Sequence, residues 1–163
     1  MPLIKDIARG AAERVLSEHW NGQIPVDPVV IAQSLGLKVY LSALPENESG
    51  LIVKLPNKPA EIHINRIEPD ARQNFTCAHE VGHWVERDVH ADNEYSFVDR
   101  RDDRQMDAHE WYAEHFAANL LMPGKQFIEA YDGGARSNSL ATLFAVSPAA
   151  ARSRLKNLNL RDY

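Results

Sequence analysis

Five consecutive residues, His79-Glu80-Val81-Gly82-His83, constrain this chain more than any others. Histidines four apart on a helix lie about 40° apart around its axis and one turn along it, so both imidazoles reach one metal ion. Glu80 is turned about 60° from His83, which sets its carboxylate beside a metal site without making it a ligand. The spacing suits a hydrolase in which zinc polarises a carbonyl and acidifies water while a glutamate takes the proton. It also demands a helix at this point. Pro69 opens one that runs to about Arg87. Gly82 in its middle costs roughly 1 kcal/mol relative to alanine, so another element is expected to approach there, and the strand layer behind the site is the expected one. Cys77 falls about 200° from His79 and cannot join the same metal; it reads as a buried apolar residue.

Two histidines leave a metal short of protein ligands. The best source of a third is a helix over Gln105–Met122. With Glu110 at zero degrees, Met106, Ala113, Ala117, Leu120 and Leu121 all fall within about 80° of it, so Glu110 lies in the stripe that faces the core. A buried carboxylate must be paired or metal-bound. His109 also points inward and is the rival third ligand, Asp107 a weaker one, and an ion pair of Glu110 with Arg72 or Arg104 is the structural alternative. Glu114, one turn on, is placed to accept a hydrogen bond from a ligand imidazole and fix its tautomer. Tyr112, His115, Tyr95 and His63 are available as donors to an oxyanion or as substrate contacts, and the sequence does not choose among them.

Upstream, apolar residues from Leu3 to Leu16 keep helical spacing and predict a helix over about 3–19. Asp27-Pro28 starts a short helix that Gly36 closes. Three strand-like runs follow, Leu37–Leu41, Leu51–Leu55 and Ala60–Asn65, read as a compact antiparallel sheet in an α+β domain. From Glu86 to Gln105 the chain is strongly charged, which reads as a solvated loop or, alternatively, as a lid over the metal. In the tail, Leu140–Phe144 and Ala149–Leu158 flank Ser147-Pro148 as a helix-turn-helix-like pair, with Ser147 as the second N-cap. Arg152, Arg154, Lys156 and Arg161 make that end basic, so a DNA-reading unit stands against a helical subdomain packed on the core. Leu155 and Leu158 favour packing, and a net charge of −5 argues against nucleic acid as the main partner. The single cysteine excludes an internal disulfide framework and, with no apolar run approaching a membrane span and no signal-peptide pattern, points to a cytoplasmic protein.

The motifs then combine. Arg72-Gln73-Asn74-Phe75-Thr76-Cys77-Ala78 precedes the histidine pair, and Glu110-Trp111-Tyr112-Ala113-Glu114-His115-Phe116-Ala117 through Leu120-Leu121-Met122-Pro123 follows it. Ile24–Pro28, Ile31-Ala32, Leu35-Gly36 and Ser49–Ile52 lie upstream, and Leu140-Ala141, Phe144, Val146-Ser147, Ala150 and Arg154-Leu155 lie downstream. Together these resemble the ImmA/IrrE family of bacterial and phage-borne metallopeptidases over nearly the whole chain.

The resemblance implies a small zincin-like (gluzincin-type) domain over 1–123 with a three-stranded sheet and helices, and a C-terminal helical subdomain over 124–163. It makes His79, His83 and Glu110 the ligands of zinc (or another divalent metal such as manganese) and Glu80 the catalytic base. It also implies a partner, a helix-turn-helix repressor cut or otherwise inactivated to release a stress, prophage or mobile-element programme. Two positions depart from the family pattern. Arg87 stands where a histidine often follows the second ligand, with His90 displaced, and Glu114 replaces the usual asparagine or aspartate. The competing function is a non-catalytic antirepressor or toxin–antitoxin component, for which Glu80 has no obvious use.

Overall fold

In the computed structural model, which describes residues 2–89, 95–100 and 107–163, the chain opens with α1 (Ile4–His19). Its inward stripe of Ala8, Ala11, Ala12, Val15 and Leu16 is buried, as the periodicity requires. Helix α2 (Pro28–Ser34) starts where expected: Asp27 accepts hydrogen bonds from the Val29 and Val30 N–H groups, and Pro28 sits in the first turn, where no N–H is needed. Strands β1 (Lys38–Ser42), β2 (Glu48–Lys54) and β3 (Glu61–Asn65) follow, then the long helix α3 (Asp70–Val89).

The architecture is α+β. The sheet differs from the sequence expectation in two ways. Strand β3 inserts between β1 and β2, pairing antiparallel with β2 and parallel with β1, so the sheet is mixed. A fourth strand, β4 (Tyr95–Arg100), pairs antiparallel along the free edge of β2, with Ile52 opposite Phe97. It comes from the charged stretch read as a loop. The reason is pairing: β2 offers an open row of backbone donors and acceptors, and a short edge strand needs no apolar face to use them. The first residues of that stretch, 86–89, belong to α3; residues 90–94 and 101–106, including His90 and Arg104, lie outside the described residues, and the lid reading with them.

Ile52, Ile62 and Ile64 turn to the inner face, where the sheet packs on Cys77, Ala78 and Val81 of α3, all buried. Asn65, fully buried at the end of β3, donates to the carbonyls of Leu44, Pro45 and Glu48 and so holds the entry into β2. Helix α4 (Ala108–Leu121) packs between α1 and α3. Three shorter helices complete the fold: α5 (Gly124–Asp132), α6 (Ser137–Phe144) and α7 (Pro148–Asn157).

The pair α6–α7 has the expected turn. Ala145 adopts a left-handed conformation (φ 54°), and Ser147 Oγ accepts from the Ala150 N–H at 3.1 Å. Asn74 of α3 donates to the Ala145 carbonyl, which ties that turn to the core. Leu140, Phe144, Ala151 and Leu155 are buried in the same apolar cluster as α1 and the sheet. Arg154, counted above among basic residues for DNA, is also buried, and its Nε donates to the Met122 carbonyl at 3.1 Å. Burial lowers its pKa to about 10, with Arg9 adding to the fall and Glu13 opposing it. Among the described residues, no helix is long and apolar enough to cross a membrane.

Candidate metal centre

Helix α3 presents His79 and His83 on the face turned to α4, and both are buried. Their rings lie 4.8 Å apart at 79°, the separation that helical spacing imposes. How closely α4 approaches is decided at Gly82. A β-carbon built there would lie 3.2 Å from Ala113 Cα and 3.1 Å from Phe116 Cδ1. The close neighbour is therefore α4 and not the strand layer expected from the sequence. Two helices need a small residue at their crossing to approach this far, and the crossing sits one turn beyond Glu110.

Asp107 is the N-cap of α4, accepting from the Glu110 N–H at 3.0 Å. Its carboxylate is thus used at the helix start rather than as a ligand. Glu110 lies in the first turn, where the helix dipole favours a carboxylate. Its two oxygens stand 3.1 Å from His79 Nε2 and 3.0 Å from His83 Nε2. Burial pulls the Glu110 carboxyl upward, but hydrogen bonds and charge from His79 and His83 outweigh it and hold the group well below the usual carboxylate range. Burial lowers the pKa of His83, against the raising influence of Glu110. An imidazole kept neutral is one ready to coordinate.

One donor atom from each of His79, His83 and Glu110 lies within 4.8 Å of the other two. Among the described residues this is the one such cluster. Two imidazoles and a carboxylate converging on a point fit a divalent metal. His109, the rival ligand, turns away and bonds Glu86 through Nδ1 at 2.7 Å, and its side chain is 43% exposed. The alternative pairing of Glu110 with Arg72 is absent: Glu110 is engaged by the two histidines.

Residues 32–156 match the IrrE N-terminal-like domain, a peptidase family. The chain belongs to the ImmA/IrrE family. Metallopeptidase chemistry is the family's type, and the cluster just described is positioned to hold a metal. Among solved structures, a Mycobacterium tuberculosis transcriptional regulator is similar, with a TM-score of 0.64 and 17% identity over 93% of this chain. That likeness is one of fold, and this chain spans 50% of the regulator's length. No curated protein matches the sequence.

The other site candidates of this ImmA/IrrE chain scatter. Glu80 is buried and faces β2, where a β-carbon built on Gly50 would lie 3.9 Å from its Oε1. The same β-carbon would strike Thr76 Cγ2 at 2.5 Å, so only glycine lets β2 pass this close to α3. Sequence reasoning gave Gly50 no role of its own, because it began the strand run at Leu51, whereas β2 starts at Glu48 and takes Gly50 into the sheet. Glu114 Oε1 stands 3.4 Å from His79 Nδ1, the outer ring nitrogen. Tyr112 is buried between α4 and α1 and lines a cavity with Ile4, Ile7 and Glu86, and burial chiefly pushes its hydroxyl up to about 12. His115 stacks on Trp111, its pKa lowered mainly by burial. His63 sits on the outer face of the sheet, bonded to Ser42 Oγ at 2.8 Å and Glu61 at 3.1 Å and stacked on Tyr40. The side chain of Tyr95 lies outside the described residues.

Proposed function

We propose that this protein is a zinc-dependent endopeptidase that cleaves a helix-turn-helix transcriptional repressor and so relieves repression in a stress, prophage or mobile-element response. The observation that carries the reading is Glu110 spanning two buried imidazole Nε2 atoms at 3.0 and 3.1 Å, with Glu80 buried on the adjoining face of the same helix. Similarity in fold to a transcriptional regulator supports a regulatory setting.

His79, His83 and Glu110 would hold the metal. When bound, zinc supplies Lewis-acid polarisation of the scissile carbonyl and lowers the pKa of water. Glu80 acts as general base: it accepts a proton from the water whose oxygen bonds to the carbonyl carbon. It then returns that proton to the amine nitrogen as the C–N bond breaks. Glu114 orients His79 through Nδ1 and leaves Nε2 to the metal. The buried Arg154 supports a packing role for the C-terminal helices rather than DNA reading.

The test is Glu80→Gln. A variant that keeps about one zinc per chain and still binds the repressor, but no longer inactivates it, supports catalysis. Full inactivation by the variant would replace the peptidase reading with a non-catalytic antirepressor or toxin–antitoxin component.

A further inference from the structure

Beside the metal centre, α3, α4 and α7 enclose a groove of about 790 Å³. Phe75, Met122 and Trp111 contribute apolar walls, and the Trp111 indole is 47% exposed, unusual for so large an apolar side chain. The charges around it are unbalanced. Arg72, Arg154 and Lys156 line the groove against one acid, Glu114, and that acid faces His79. Arg154 spends its Nε on the Met122 carbonyl. Arg72 has no such use: its Nε is buried, and among the described residues the side chain makes no hydrogen bond or ion pair. A buried donor left unmet is unfavourable, and in a chain of net charge −5 a concentration of unpaired cations is not a general surface property.

We infer that this groove docks an acidic segment of the protein substrate, with Arg72 receiving a side-chain carboxylate and Phe75 and Trp111 a neighbouring apolar side chain. The guanidinium fork matches a carboxylate in two parallel hydrogen bonds. Arg72 precedes His79 by close to two helical turns, roughly 10 Å along the same face of α3. An extended peptide covers about 3.3 Å per residue, so an acid about three residues from the bond at the metal centre reaches it. The inference rests on the peptidase reading for its substrate, but its test does not.

Zinc-loaded Glu80→Gln protein, fluorescently labelled, is applied to an array of random octapeptides tethered by their C-termini. Bound sequences are expected to be enriched in aspartate or glutamate next to leucine or an aromatic residue. In solution, exchanging that acid for its amide weakens binding about tenfold. Arg72→Gln abolishes the difference at unchanged zinc content and melting temperature, and Arg72→Lys retains part of it. If Arg72→Gln does not fold, the exposed Lys156→Gln is expected to reduce the acid preference by a smaller factor. Absence of acid enrichment, or an acid preference indifferent to both substitutions, overturns the inference. Repressor cleavage without acid preference removes the groove's role alone. Arg72-dependent acid binding in a protein that cuts nothing keeps the groove and removes the peptidase.

Discussion

Replacing Gly82 by alanine sets two local effects against each other, and the balance depends on whether the α3–α4 crossing positions Glu110. Alanine is favoured over glycine in a helix interior by about 1 kcal/mol. Against this, the new methyl would stand 3.1 Å from Phe116 Cδ1, 3.2 Å from Phe116 Cβ and 3.2 Å from Ala113 Cα. Carbon atoms at rest prefer about 3.5–4.0 Å, so the neighbours must give by several tenths of an ångström. Phe116 is fully buried and Ala113 Cα is backbone, so α4 must move as a unit. Overpacking of this kind costs about 1–3 kcal/mol, which leaves a net loss of about 0–2 kcal/mol. The larger consequence falls on the metal. Glu110 lies one turn before Ala113 and moves with it, and metal–ligand distances tolerate only about 0.2 Å. Zinc affinity is expected to drop about tenfold, read by competition with a chromophoric chelator, alongside urea unfolding of the metal-free protein. A variant with unaltered zinc affinity and about 1 kcal/mol of added stability would refute the idea that this crossing places the third ligand.

Other expectations are equally direct. Glu110→Ala abolishes the stoichiometric zinc found by elemental mass spectrometry and His109→Ala retains it, because Glu110 touches both histidines while His109 is bonded to Glu86; loss with His109→Ala would reassign the ligand. Metal-free protein should melt at lower temperature as pH falls. His83 has a pKa lowered from 6.5, so the unfolded chain takes up its proton first and stability declines below about pH 6.5. Glu110, held below 4.5, adds a second decline below that pH, and a flat melting profile from pH 7.5 to 4 in chelator would contradict both. Arg154→Met should cost about 1–3 kcal/mol in urea unfolding, since it removes the donor from the buried Met122 carbonyl. A loss under about 0.5 kcal/mol would show that this bond is dispensable.

Much of the site was legible because its logic is local. The angle between His79 and His83 is a property of any α-helix, and the apolar stripe around Glu110 marks its inward face without knowledge of what it meets. Caps were legible for the same reason: Asp27 and Ser147 each accept N–H groups two or three residues away. Helix α5 was not singled out within the expected helical subdomain: its N-cap is Pro123, which makes no side-chain hydrogen bond, so the capping signal that marked the shorter α2 is missing.

Local pattern is thus enough to place α1–α4, α6, α7 and strands β1–β3, to say which faces turn inward, and to set two histidines on one face with a glutamate beside them. These depend on backbone periodicity, and a window of a few turns contains it. Long-range packing adds that Glu110 rather than His109 stands between the two imidazoles, that α4 rather than a strand presses on Gly82, that β3 runs parallel beside β1, and that β4 takes the edge of β2. It also left Arg72 without the carboxylate that sequence reasoning had offered it. Each of these joins residues distant in the chain. Which pairing wins there depends on how closely whole elements pack, and no local pattern of residues encodes that distance.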